Sequence, residues 1–244
     1  MSSWPVFGFV TIHDRPLAGG VAHEDAWLAA AAASGRASAH LWQGPPGLVV
    51  PRRYTLSPRW ADVTARRADV HVRRSGGGLV PQGPGVWNLS LAWPAPQASP
   101  VDTEAVYRAF VDRLAQGLSH LGITARPQEV AGSFCDGRYN LAVDGRKLVG
   151  TAQAWRRVGG RPMVLAHAVV VVDADPQALT AQANALEGEL GNPQRYDAAA
   201  LTSVAAAWCV AHGAAAPPAD LAEHCRQALG QAFARVLPPH THPV

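Results

Sequence analysis

The chain has 244 residues, 48% of them hydrophobic and 16% charged, with a formal net charge of +3. Such a length and apolar share suit one or at most two compact domains and exclude a disordered chain, and so slight a charge argues against nucleic acid or an anionic membrane as partner. The 3 cysteines, at positions 135, 209 and 225, are odd in number and lack zinc-like spacing, so neither a metal site nor a disulfide framework is expected.

In chain order, WPVFGFVTI reads as an opening strand, and the alanine-rich stretch from Val21 to Ala33 as a helix stopped by Ser34-Gly35. GLVVPRRY reads as a strand near an edge or bulge, because Pro51 lacks a ladder donor. Ser57-Pro58 marks the start of a short helix carrying Trp60 and Val63. VHVRR is a strand entering the loop SGGGLVPQGPG, and VWNLSLAW is the strand leaving it. From Val101 to Leu121 the four-residue recurrence of Val106, Phe110 and Leu114 predicts a long helix ended by Gly122. RYNLAV and RKLVGTAQAW flank the turn dipeptide Asp144-Gly145, and MVLAHAVVVV follows Gly159-Gly160, so three strands form a meander. Residues 176 to 237 read as three helices, and PPHTHPV as a frayed tail whose two histidines are accidental rather than ligands. The order predicts an α+β fold with a largely antiparallel sheet. The amino terminus lacks a basic and apolar leader, and no apolar run approaches the roughly 20 residues of a membrane span, so a cytoplasmic protein is expected.

Three stretches could carry chemistry. Gly76, Gly77 and Gly78 follow Arg73, Arg74 and Ser75, and glycines let backbone approach a ligand while arginines offer paired donors to an anion. The loop is neither a Walker A motif nor a dinucleotide fingerprint, since a strand follows it. Lys147 is the one lysine among 21 basic residues, in a sequence that otherwise writes arginine. Strand alternation places it on one face with Thr151 and Gln153, opposite Leu148, Gly150 and Ala152. Such a face suits either a site or solvent. Cys135 lies in the glycine-flanked loop GSFCDG, where it is either an accessible nucleophile or a small apolar filler. His167, in an apolar strand, reads more readily as a satisfied core histidine than as a base.

Together RRSGGGLVPQGPGVWNLSLAW, GSFCDGRYNLAVDGRKLVGTAQAWRR and HAVVVVDADP resemble the superfamily of lipoate–protein ligases, protein octanoyltransferases and biotin–protein ligases, over about residues 40 to 175. The resemblance implies a mixed sheet flanked by helices, a single catalytic domain over residues 1–237, and 238–244 as flexible tail. It implies an acyl chain in an apolar tunnel, with Arg73, Arg74, Ser75, Gly76, Gly77 and Gly78 over its carboxyl end and Lys147 pointing at the reacting carbonyl or phosphate. Asn88, Asn140 and Gly150, with Thr151, Gln153 and His167, complete the expected substrate-binding set; no metal is implied. ATP-using ligases of the superfamily usually carry a His-Asp pair shortly after the glycines, where this chain has Val80-Pro81-Gln82-Gly83. GSFCDG is closer to the transferases that move an octanoyl group through a cysteine thioester, with Cys135 as nucleophile and Lys147 stabilising the oxyanion. The implied partners are an octanoyl or lipoyl donor and a lipoyl-bearing acceptor domain, with no cofactor. The alternative is a ligase using ATP, magnesium and lipoate through an acyl-adenylate, in which Cys135 is incidental; a further one is a non-catalytic acyl or lipoyl-domain binder. The transferase branch often has an acidic residue where Gly83 stands, a departure that bears on substrate preference.

Overall fold

A computed structural model describes residues 4–95 and 102–234. The proposed tail 238–244 lies outside the described residues. The elements in chain order are β1 (Thr11–Ile12), α1 (His23–Ser34), β2 (Ser38–Trp42), β3 (Gly47–Pro51), α2 (Trp60–Arg66), β4 (Val70–Arg73), β5 (Val80–Gln82), β6 (Val86–Pro94) and α3 (Thr103–Ser119). They continue with β7 (Arg126–Pro127), β8 (Leu141–Val143), β9 (Arg146–Val158), β10 (Arg161–Val171), α4 (Pro176–Leu190), α5 (Val204–His212) and α6 (Leu221–Phe233).

Seven strands form a sheet in the order β1-β2-β6-β10-β9-β8-β7, antiparallel except for the β1–β2 pair, and β4-β3-β5 form a smaller one. This is the α+β architecture that the element order predicts. One face of the large sheet, with Leu41, Leu89, Leu91 and Val164, packs on Val106, Phe110 and Leu114 of α3 and on Leu229 and Phe233 of α6. Each such side chain contributes about 1.5–3 kcal/mol on burial, which suffices to hold both helices to the sheet. The helix α3 starts where Asp102 accepts from the Ala105 N–H at 2.8 Å, capping its first turn.

The opposite face carries Asn88, Ser90, His167 and Val169 in register, since Ser90 pairs with His167 and Asn88 with Val169. The small sheet packs on α2 and α4 through Leu48, Val50, Val63 and Leu186. Where the two sheets meet, Val80, Val86, Phe134, Cys135, Val171 and Leu201 form one apolar cluster. The candidate residues gather at this seam.

Several sequence expectations need correction. The opening strand shrinks to Thr11–Ile12, and β2, β5 and β7 have no counterpart in the sequence reading. β3 is the central strand of its sheet, not an edge, and Pro51 is tolerated because it closes the strand. The strand predicted from Arg138 begins at Leu141. Asp144 and Gly145 do form the hairpin turn, with φ of 50° and 75°. The pairing then slips: Leu141 faces Val149 while Ala142 faces Lys147, leaving Leu148 as an extra residue. This bulge turns Lys147 onto the face of Gly150, away from Gln153, contrary to simple alternation.

Candidate active site

Cys135 sits at a φ of 53°, a left-handed conformation uncommon for a residue with a side chain. Such strain is kept where the surroundings hold it. Here Asn140 Nδ2 and Lys147 Nζ both donate to the Cys135 carbonyl, at 2.9 and 2.7 Å, and Lys147 also donates to the Phe134 carbonyl at 2.5 Å. Asn140 is itself fixed by the Thr151 N–H, which donates to its Oδ1 at 3.1 Å. The hairpin thus grips the cysteine loop from below.

The glycine loop closes on it from above. The Gly78 N–H donates to Cys135 Sγ at 3.0 Å, and Arg73 Nη2 lies 3.9 Å from the same sulfur while donating to the Gly78 carbonyl at 2.7 Å. Burial alone would raise the thiol pKa, but the charges of Lys147 and Arg73, with the Gly78 N–H, outweigh it and hold the thiol below its usual value. Burial pushes the Lys147 ammonium down to about 8. The buried Arg73 Nε has no hydrogen-bond partner, a donor left over for an anionic or carbonyl oxygen.

Backbone and sulfur approach too closely here for a side chain at Gly77 or Gly78. A Cβ on Gly77, where φ is +98°, would stand 2.5 Å from Arg73 Nη2 and 2.7 Å from Cys135 Sγ. One on Gly78 would meet Cys135 Cα at 2.8 Å and N at 2.9 Å, while Gly76 has nothing within 4 Å. Alanine at 77 or 78 is therefore expected to cost about 1–3 kcal/mol and to change the rate at which iodoacetamide alkylates Cys135. Alanine at 76 should leave melting temperature and alkylation close to wild type.

Two cavities meet at Cys135. The inner one, about 20 Å³, is lined by Arg73, Lys147, Gly150, Thr151 and His167 and by the apolar Val80, Phe134, Leu148, Val169, Val171 and Leu201. It has the room of about one water, so an acyl chain enters only if this lining parts. The outer one, about 850 Å³, opens to solvent and is lined by Arg53, Tyr54, Gly77, Gly78, Ser133, Asp136, Glu187 and Tyr196. Cys135 lines both.

The other candidates are engaged by neighbouring groups of the fold. Arg74 is exposed and pairs with Asp25 at 3.6 Å, so Arg73 is the arginine turned inward. Asn88 is buried in a reciprocal amide pair with Gln82, at 2.7 and 3.2 Å, and Gln153 Nε2 donates to the Thr103 carbonyl on the other side of the sheet. Thr151 Oγ1 donates to the Tyr139 carbonyl at 2.7 Å. Ser75 Oγ lies 3.1 Å from His167 Nε2, whose Nδ1 is 2.8 Å from Glu24 Oε1; Ser90 donates to that oxygen, and Trp42 Nε1 to Ser90. Burial alone would raise the pKa of the Glu24 carboxyl, but His167 and the Ser90 hydroxyl hold it below its usual value. Sequence reasoning missed Glu24. Its signal is the spacing of Glu24, Leu28 and Ala31 along the buried face of α1.

The profile of the lipoyl protein ligase A/B catalytic domain matches residues 20–204. The chain belongs to that family. It is accordingly an enzyme of acyl transfer or ligation. An uncharacterised protein of Cupriavidus necator is 42% identical over 224 residues, 85% of this chain and 88% of that one. An octanoyl-[GcvH]:protein N-octanoyltransferase of Kyrpidia tusciae is 37% identical over 190 residues, which is 72% of this chain and 64% of the transferase. Among solved structures, the bi-partite lipoate protein ligase of Thermoplasma acidophilum shares the fold, with a TM-score of 0.63 at 16% identity over 93% of this chain and 82% of the ligase. No helix among the described residues is long and apolar enough to cross a membrane, and no group of three or more His, Cys, Asp or Glu side chains among them could hold a metal ion.

Proposed function

We propose that this family member moves an octanoyl or lipoyl group to a lysine of a lipoyl-bearing acceptor domain, through a thioester on Cys135. The observation that carries this reading is the place of the sulfur. It lies between a narrow apolar cavity, which suits a hydrocarbon chain once widened, and an open polar pocket, which suits an arriving protein side chain. Each buried methylene of the chain would contribute about 0.8 kcal/mol. Similarity to the K. tusciae octanoyl-[GcvH]:protein N-octanoyltransferase supports an octanoyl group and a protein acceptor.

In this reading the Cys135 thiolate attacks the acyl carbonyl, forming a C–S bond while the carbonyl π electrons move to oxygen. Lys147, with the spare Nε of Arg73, stabilises that oxyanion as preorganised charge. The donor's nitrogen or sulfur leaves as the carbonyl re-forms, taking from water of the open outer pocket the proton that balances the one lost by the thiol, and an acceptor amine then displaces Cys135. Arg73 and Lys147 would equally fit the phosphate of an acyl-adenylate, the form in which ATP would supply an activated acyl group. Incubation either with an octanoylated lipoyl domain alone or with free octanoate and ATP, each beside an unmodified acceptor domain and followed by intact-mass measurement, decides between the routes. The expected result is an octanoyl adduct on Cys135, formed without ATP and discharged by hydroxylamine. Transfer that requires ATP and never labels Cys135 would overturn the proposal.

A further inference from the structure

The outer pocket holds a second constellation that the cysteine chemistry does not use. Glu187 of α4 is 1% exposed, and its Oε1 accepts from both Tyr54 Oη and Tyr196 Oη, at 2.5 and 2.7 Å. Its Oε2 accepts from Asn192 Nδ2 at 2.7 Å. Among the described residues no arginine, lysine or histidine forms an ion pair with it, so neutral donors alone hold this buried carboxylate. A buried carboxylate is costly unless a cation compensates it. Burial and the bond to Glu187 push the Tyr54 phenol up to about 12, and they raise Tyr196 further still. Both phenols therefore keep their protons on the Glu187 side and leave oxygen lone pairs to accept from a newcomer. A second, independent sign lies in the lining of the same pocket, where Ser133 is 2% exposed and its buried hydroxyl has no partner.

We propose that Glu187, Tyr54, Tyr196 and Ser133 form a receiving site for the ε-ammonium of the acceptor lysine, beside the thioester carbon. This inference rests on the Cys135 thioester reading and names how the second substrate is drawn in. The phenolic oxygens, polarised by the carboxylate, accept two N–H bonds of the ammonium, and the Ser133 oxygen can accept a third. Asp136 in the same lining adds negative charge, while Arg53, the one basic residue of that lining among the described residues, is tied to the Gly77 carbonyl at 2.6 Å. The ammonium gives one proton to water of the open pocket and attacks as the amine. As the C–N bond forms and the C–S bond breaks, a second proton passes from nitrogen to the Cys135 sulfur, which balances an amide, a thiol and one released proton.

The test uses two small nucleophiles on one preformed thioester. The full-length enzyme is octanoylated on Cys135 with the octanoyl thioester of N-acetylcysteamine, then discharged near neutral pH by n-butylamine, a cation there, or by hydroxylamine, which is neutral. In Glu187→Gln the butylamine rate should fall about 10- to 100-fold, the loss of one charge-assisted contact, with the hydroxylamine rate within about twofold of wild type. Equal changes with both nucleophiles, or none, overturn the receiving site while leaving the thioester reading intact. If Glu187→Gln does not fold, Tyr54→Phe, at a half-buried position, should show the same selectivity at about tenfold. A wild-type enzyme that never acquires the octanoyl adduct overturns both readings together.

Discussion

Serine in place of Cys135 should lower acyl transfer on the order of 10³-fold or more and abolish the covalent adduct, while the protein stays folded. The reason lies in what surrounds the sulfur. Its polar neighbours among the described residues, the Gly78 N–H and Arg73 Nη2, are both donors, and Lys147 adds a further positive charge to the same cavity. Such a shell stabilises an anion already formed, which a thiol with a lowered pKa can supply. It contains no base to take a proton from a hydroxyl. The imidazole of His167 is engaged by Glu24 on one nitrogen and Ser75 on the other. A serine hydroxyl, whose pKa lies far above that of a thiol, would remain protonated and inert. Steady-state transfer and intact mass, with the melting temperature as a check on folding, are the measurements. A Cys135→Ser enzyme with near-normal turnover would show that the cysteine is bystander to an adenylate route.

How far the fold and the site were legible in the sequence follows from which signals are local. The α3 helix and the Asp144-Gly145 hairpin were readable because their periodicity and turn chemistry lie within a few residues. The short strands β5 and β7 carry almost no local pattern and owe their conformation to partners distant in sequence. The same limit applies to Lys147. Its lone occurrence marked it, but alternation assigned it to the wrong face, because a bulge depends on the pairing of β8 with β9 and leaves no mark in β9 itself. The inward turn of Arg73 rather than Arg74 likewise depends on where Gly78 and Cys135 meet, 57 residues apart in sequence. Glu24 and Glu187 carry no local mark of their chemistry in the sequence, and only the assembled sheets show what each carboxylate faces.

Arginine in place of Lys147 should reduce transfer by about 10²- to 10³-fold, the usual cost of one oxyanion donor, even though the charge is kept. Lys147 Nζ already spans the Phe134 and Cys135 carbonyls within a cavity of about 20 Å³, and a mere Cβ on Gly150 would lie 3.2 Å from it. A planar guanidinium has no room to turn there. The neutral Lys147→Met separates charge from packing through pH. In the wild type the folded-state pKa near 8 lies below the ordinary value of 10.5, so between those limits the unfolded chain binds more protons and stability rises with pH. Below about pH 8 the folded protein carries the full cost of the buried ammonium. Methionine at 147 has no such slope of its own, so the wild type should gain stability relative to Lys147→Met as the pH rises from about 8 to 10.5. In the same variant the Cys135 thiol loses its strongest cationic neighbour, so its pKa should rise and alkylation by iodoacetamide at pH 7 should slow. Denaturant titrations across that pH range, read beside the alkylation rates, check both expectations. Parallel stability curves for the two proteins, with unchanged thiol reactivity, would mean that Lys147 is neither buried as an ammonium nor coupled to the sulfur.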